Sequence, residues 1–259
     1  VSRSEIPSVG SSTSIKFPEI QTAELSNGMK VVVSENGDLP LIDIYFRIGT
    51  GNMADSITSP GVSDAVFSLM HKGTNKFNAN ELAAQKSRIG METRIAADIE
   101  NSSYSYRILS SYFEDSLDIV ADEIRNPIFP SMEISKFKEK ILAYLSNIES
   151  NASMNATTLF RRAIYGKDNQ IGMLWNPEIV EKLSREDLID FHAREIAPDN
   201  ITVFMIGDIN IDQVVKALNM SFGNWKSNNA SVARSIGKAI SNKSRIILIN
   251  QTDASQSTI

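Results

Sequence analysis

The chain has 259 residues, 42% of them apolar and 22% charged, with 13 Gly and 8 Pro; this excludes a disordered or fibrous chain and leaves length for one large domain or two small ones. The balance of 26 Lys+Arg against 31 Asp+Glu gives a net charge of −5 without a long basic run, which leaves nucleic acid and anionic membrane surfaces no electrostatic footprint and argues against them as partners. Zero cysteines remove a disulfide framework, a thiolate metal site and a cysteine nucleophile, and no apolar run approaches the roughly 18 residues of a membrane span.

Residues 1–20 are polar, begin at Val1 and read as a flexible tail of the kind signal cleavage leaves. Met29–Ser34 and Ile42–Ile48 are β-branched and aromatic runs around the turn cluster Asn36-Gly37-Asp38-Leu39-Pro40, and predict two strands. Val62, Ala65, Val66, Leu69 and Met70 have helical spacing, opened by Ser59-Pro60-Gly61 and closed by Gly73. A short helix over 79–89 follows, then strands at Glu92–Ala97 and Ser102–Ile108 and a helix over Tyr112–Ile124 that Asn126-Pro127 stops.

Met132–Ile148 predicts a long helix with Phe137, Ile141, Tyr144, Leu145 and Ile148 as its stripe, and Thr157–Ile164 another. Ser184-Arg185-Glu186-Asp187 is a capping box opening a helix to about Arg194. Ile201–Ile206 reads as a buried strand ending at Gly207-Asp208, and Ile211–Phe222 as the last clear helix. The polar stretch 226–244 is the linker candidate. Across it, Lys30-Val31-Val32-Val33 with Asp38 and Ile44 recurs at an offset of 215 as Arg245-Ile246-Ile247-Leu248 with Asp253 and Ile259. That recurrence marks 245–259 as the start of a second repeat. Hairpin-like strands between long helices predict an α+β fold, a mostly antiparallel sheet covered by helices.

The stretch from Gly61 to Thr74, with Gly61, Lys72, Gly73 and Thr74 in frame, resembles the zinc-site helix of the insulinase/pitrilysin, or inverzincin, metallopeptidases, which carries an inverted His-x-x-Glu-His motif. Leu25-Ser26-Asn27-Gly28-Met29-Lys30-Val31 is similar to that family's opening strand. Asn126-Pro127-Ile128-Phe129-Pro130 is similar to its helix-ending turn, and Pro198-Asp199-Asn200 through Trp225 to the end of its first domain. The resemblance spans residues 21–225 and implies one half of a duplicated two-domain architecture. In the family, two histidines one helical turn apart bind zinc, and the glutamate between them polarises the attacking water. Those positions here hold Asp64, Ser68 and Phe67, and the family's distal glutamate ligand falls at Leu145. The resemblance therefore implies no catalytic residue, metal or cofactor in this chain.

The functional expectation is a non-catalytic subunit of a heterodimeric zinc metalloendopeptidase, inactive by itself, that helps hold peptide for a homologous zinc-bearing partner. The architecture is similar to that of mitochondrial processing peptidase. The alternative is a structural subunit like the respiratory bc1 core proteins, without peptide handling. The bacterial periplasm is the expected compartment, with mitochondria as the alternative. Asp64, Ser68 and His71 fall at i, i+4 and i+7 and so share a face of the predicted helix, read as a polar edge rather than a metal pair. His192, near a helix C-terminus, reads as a surface imidazolium favoured by the helix dipole. Neither a Gly-x-Gly-x-x-Gly nor a P-loop spacing occurs, so nucleotide binding has no anchor.

Overall fold

A computed structural model describes residues 18–227 and 246–248. Six strands, β1 (Gln21–Glu24), β2 (Lys30–Glu35), β3 (Leu41–Ile48), β4 (Glu92–Ala97), β5 (Ser102–Leu109) and β6 (Ile201–Gly207), form one sheet in the order β1-β2-β6-β3-β5-β4. Only β2 and β6 run parallel; the other neighbouring pairs are antiparallel. The sheet is thus mixed but mostly antiparallel, as expected. The helices are α1 (Val62–Leu69), α2 (Ala79–Arg88), α3 (Phe113–Arg125), α4 (Ser131–Ser150), α5 (Ala152–Tyr165), α6 (Pro177–Lys182), α7 (Arg185–Glu195) and α8 (Ile211–Phe222). None of the described helices is long and apolar enough to cross a membrane.

Alternation along the strands decides which face the helices cover. In β3, Ile42, Ile44, Phe46 and Ile48 are buried, whereas Asp43, Tyr45 and Arg47 face outward. Tyr104, Tyr106 and Ile108 of β5 and Ile201, Val203 and Met205 of β6 continue the buried face in register, with Ile44 opposite Tyr106 on one side and Met205 on the other. Phe67, Val66 and Met70 from α1, Leu117, Val120 and Ile124 from α3, and Val214, Leu218 and Phe222 from α8 complete this core. Among the described residues nothing covers the opposite face: Tyr45 and Phe204 meet edge-to-face at 6.1 Å, flanked by exposed Ile206 and Leu109, with Arg107 chelating Asp43 at 2.7 and 2.8 Å.

The turn from β1 to β2 explains why Asn27-Gly28 stands where it does. Gly28 has φ +87°, a conformation that a Cβ strains, and Leu25 and Met29 close the turn by a backbone bond of 2.9 Å. Asn27 accepts from the Met29 amide and donates to the Phe222 carbonyl, tying the hairpin to the end of α8.

Several boundaries differ from the expectations. Strand β1 and helix α6 carry too few apolar residues for periodicity to find, and α5 starts at Ala152 because Asn151 accepts from the Met154 amide as its cap. The Ser184–Asp187 capping box forms, with bonds of 2.8 and 3.2 Å. Nearly all of the linker and second-repeat segment lies outside the described residues.

Candidate functional site

The site is built around the start of α1. Asp55 is buried and accepts from the amides of Gly61 and Ser63 at 2.7 and 2.8 Å and from the Ser63 hydroxyl at 3.1 Å, so a carboxylate from outside the helix satisfies its first amides. Burial pushes the Asp55 carboxyl up to about 7 despite these bonds. Asn52, in the 3₁₀ turn Asn52–Ala54, donates to Ser63 Oγ at 2.9 Å and to Asp64 Oδ1 at 3.1 Å. The 3₁₀ turn is itself held to the end of β4, since the amides of Asn52 and Met53 bond the carbonyls of Asp98 and Ile99.

Gly61 has φ +84°, and a Cβ there would overlap the indole of Trp175. The ring of Trp175 therefore lies directly on the start of α1, and it also meets the ring of Phe137 of α4 at 5.9 Å between centroids. Between α1, the 3₁₀ turn, α4, α5 and the Trp175 loop lies a cavity of about 620 Å³. Asp64, Asn52 and Asp55 are on one side of it. Met53, Ile99, Leu145, Ile148 and Trp175 supply much of its apolar wall, with half-exposed Tyr144 beside them.

The four positions singled out in the sequence divide three ways. Asp64 and Leu145 line this one cavity although they are far apart in the chain. Phe67 is fully buried in the core beneath α1, and Ser68 is exposed. Zinc does not fit this set: Leu145 and Phe67 carry no donor atom, Ser68 is a poor ligand, and Asp64 is one carboxylate where three ligands are needed. Among the described residues, no three His, Cys, Asp or Glu side chains are grouped to hold a metal ion.

Two expectations need correction. Asp64, Ser68 and His71 do not share a helix face, because α1 ends at Leu69 and His71 lies beyond it, lining a different cavity with Lys72 and Lys86. His192 is not a surface imidazolium: its Nε2 lies 2.7 Å from the Ile124 carbonyl, its ring packs on Phe129, and burial lowers its pKa. Asn52, Asp55 and Trp175 were missed by sequence reasoning. Asp55 had a signal, since an Asp preceding the helix-opening Ser59-Pro60-Gly61 is a capping candidate, but its reach across a loop of several residues had none.

Comparison with known proteins agrees with this architecture. The family model described as Insulinase (Peptidase family M16) matches residues 31–178, and that described as Peptidase M16 inactive domain matches residues 182–259. A Bacillus subtilis relative named as the uncharacterized zinc protease YmxG is 24% identical over 203 residues, which cover 78% of this chain and 49% of that protein. This chain thus spans about half the length of that relative. The crystal structure of a peptidase M16 inactive domain from Pseudomonas fluorescens superposes with a TM-score of 0.77 at 20% identity, covering 83% of this chain and 53% of that one. The periplasmic protease PqqL of Escherichia coli superposes with a TM-score of 0.74 at 15% identity, covering 87% of this chain and 26% of that one. With a family model covering more than half of its length and an α+β domain of the same fold, this chain belongs to the insulinase family of peptidases, peptidase family M16.

Proposed function

We propose that this chain is a non-catalytic subunit of a heterodimeric zinc metalloendopeptidase, enclosing and holding peptide for a homologous partner that carries the zinc. One observation carries the reading: the cavity beside α1 brings Asp64 and Leu145 together and holds two carboxylates, Asp64 and Asp55, of which Asp55 spends both oxygens on Gly61 and Ser63, without a histidine or a third ligand beside them. Phe67 cannot take a proton from water, so hydrolysis has no route through these residues. Peptide holding has support of its own. Among the described residues strand β4 lies at the sheet edge and pairs only with β5, and it leads through Ile99 to the cavity wall, so an extended peptide can add main-chain hydrogen bonds there.

In this reading residues 21–225 are one peptidase-like domain, 226–244 a linker and 245–259 the start of a second repeat, and the compartment is the periplasm. The test is reconstitution. The full-length protein alone is expected to cleave no unstructured peptide and to retain no stoichiometric zinc after dialysis, and its addition to a zinc-bearing family member is expected to raise that member's turnover well above its own rate. Turnover unaffected by addition would favour the purely structural role.

A further inference from the structure

A second cavity, of about 450 Å³, lies between the turn after α1, helix α2 and the start of β4, and it shares no lining residue with the cavity beside α1. His71, Lys72 and Lys86 line it together with the hydroxyls of Ser87 and Thr93, and the carboxylate among its lining residues is that of Glu92, exposed on β4. His71 Nδ1 is buried and has no hydrogen-bond partner among the described residues, although buried polar atoms ordinarily find one. Lys72 forms no ion pair among the described residues. Burial first, then the charges of Lys72 and Lys86, lower the His71 pKa to about 3, so a neutral ring sits in a positive field.

Charge decides the class of ligand. Glu123 answers Lys86 at 2.7 Å, which leaves the Lys72 ammonium unbalanced, with exposed Glu92 opposing any anion from one side. One free ammonium suits a monoanion and is too little for a dianion such as phosphate. Ala79, Ala83 and Met91 add apolar wall, and cavities of this kind take small organic ligands through a few convergent polar groups. We infer that this cavity binds a small monocarboxylate, whose carboxylate accepts from the Lys72 ammonium and from the Nδ1–H of His71 while its alkyl body lies against Ala79 and Ala83. A charge-assisted bond from lysine is stronger than a neutral one, and the bond from Nδ1 satisfies the atom that burial leaves unpaired. The site is independent of the peptide-holding reading.

The experiment is NMR on the full-length protein labelled with nitrogen-15 at histidine, titrated with hexanoate, with hexanamide, which has the same body but no charge, and with inorganic phosphate. The His71 ring signals are identified by their loss in His71→Gln, and the other histidines are internal controls, among them His192, whose Nε2 already meets the Ile124 carbonyl. Hexanoate is expected to shift the His71 signals with a millimolar dissociation constant and to leave the other histidines unmoved. Hexanamide and phosphate are expected to bind about tenfold more weakly, a difference of about 1.4 kcal/mol. Lys72→Met should remove the difference between acid and amide, and Lys72→Arg should keep it. Glu92→Gln, which takes away the opposing charge, should tighten hexanoate about two- to threefold. No shift at His71, or equal shifts at every histidine, overturns the site. Hexanamide bound as tightly as hexanoate overturns the recognition of charge, and phosphate bound as tightly overturns the monocarboxylate. Hexanoate binding that is unchanged in Lys72→Met, or weakened in Glu92→Gln, overturns the assignment to these residues.

Discussion

Lys86 and Glu123 form an ion pair in the core, and breaking it from either side is expected to cost far more than removing both members. Lys86 Nζ lies 2.7 Å from Glu123 Oε1, with side-chain exposures of 10% and 0%. Glu123 Oε2 accepts from the Tyr104 hydroxyl at 2.5 Å, and the ammonium sits 5.7 Å above the Tyr104 ring. Burial raises the Glu123 pKa and lowers that of Lys86, and each partner opposes the shift of the other. Lys86→Met leaves a buried carboxylate whose charge nothing balances, at a cost of about 3–5 kcal/mol. With a urea slope of about 2 kcal/mol/M, the unfolding midpoint falls by roughly 1.5–2.5 M. Glu123→Leu strands the ammonium and the Tyr104 hydroxyl together and costs a similar amount. Lys86→Met with Glu123→Leu and Tyr104→Phe removes both charges and the phenol, leaves the partly exposed Thr93 hydroxyl that lies 3.5 Å from Lys86 Nζ, and is expected to return to within about 1 kcal/mol of wild type. Urea unfolding of the single variants and the triple variant decides it; costs that simply add refute the account of a mutually dependent buried pair.

His71 supplies a pH prediction. Burial, with Lys72 and Lys86 nearby, pulls its pKa down from 6.5 to about 3. Between those values the unfolded chain binds a proton the folded one refuses, so His71 lowers stability as pH falls below 6.5, by up to about 1.4 kcal/mol per unit. Asp55, raised to about 7, acts in the opposite sense over the same range, so the check is the difference between proteins: His71→Asn should gain stability relative to wild type as pH falls from 6.5 to 5, and a difference independent of pH would contradict the burial. Gly61→Ala places a Cβ at φ +84° against Trp175; left-handed strain and overpacking together should cost about 2–4 kcal/mol in thermal or urea unfolding, with a shift in Trp175 emission as the ring leaves α1. The outer sheet face, with Tyr45, Ile206 and Leu109 exposed and Phe204 half-buried among the described residues, should drive self-association of the 259-residue chain, and Tyr45→Lys with Ile206→Lys should reduce it in light scattering. A concentration-independent monomer before substitution would count against that.

Local pattern made most of the fold legible. The alternation of β3 and β5, the capping box at Ser184 and the helical stripe of α8 each depend on neighbours in sequence, and each element lies within a few residues of its expected range. Helix α6 stayed hidden because only Val180 of its six residues is buried, and its start is set by an Asn176 side-chain bond. At the site, the frame around Gly61 located Asp64, and Leu145 was reached only by resemblance. Tertiary geometry alone shows that both line one cavity, because α4 has to pack across α1 first. Asp55 and Trp175 act through contacts that span loops, which carry no periodicity. His192 was misread for the same reason: its position along α7 suggested solvent, whereas the turn at Phe129 covers it.

The measurement that tests the central claim most directly is peptide turnover by the reconstituted pair of this protein and a zinc-bearing family member, with substitutions made on each side in turn. Replacing the partner's glutamate base should abolish turnover, while Ser68→Ala in this chain should leave it nearly unchanged. The converse result, loss of turnover on Ser68→Ala with the partner's glutamate dispensable, would place the chemistry in this chain and contradict the account.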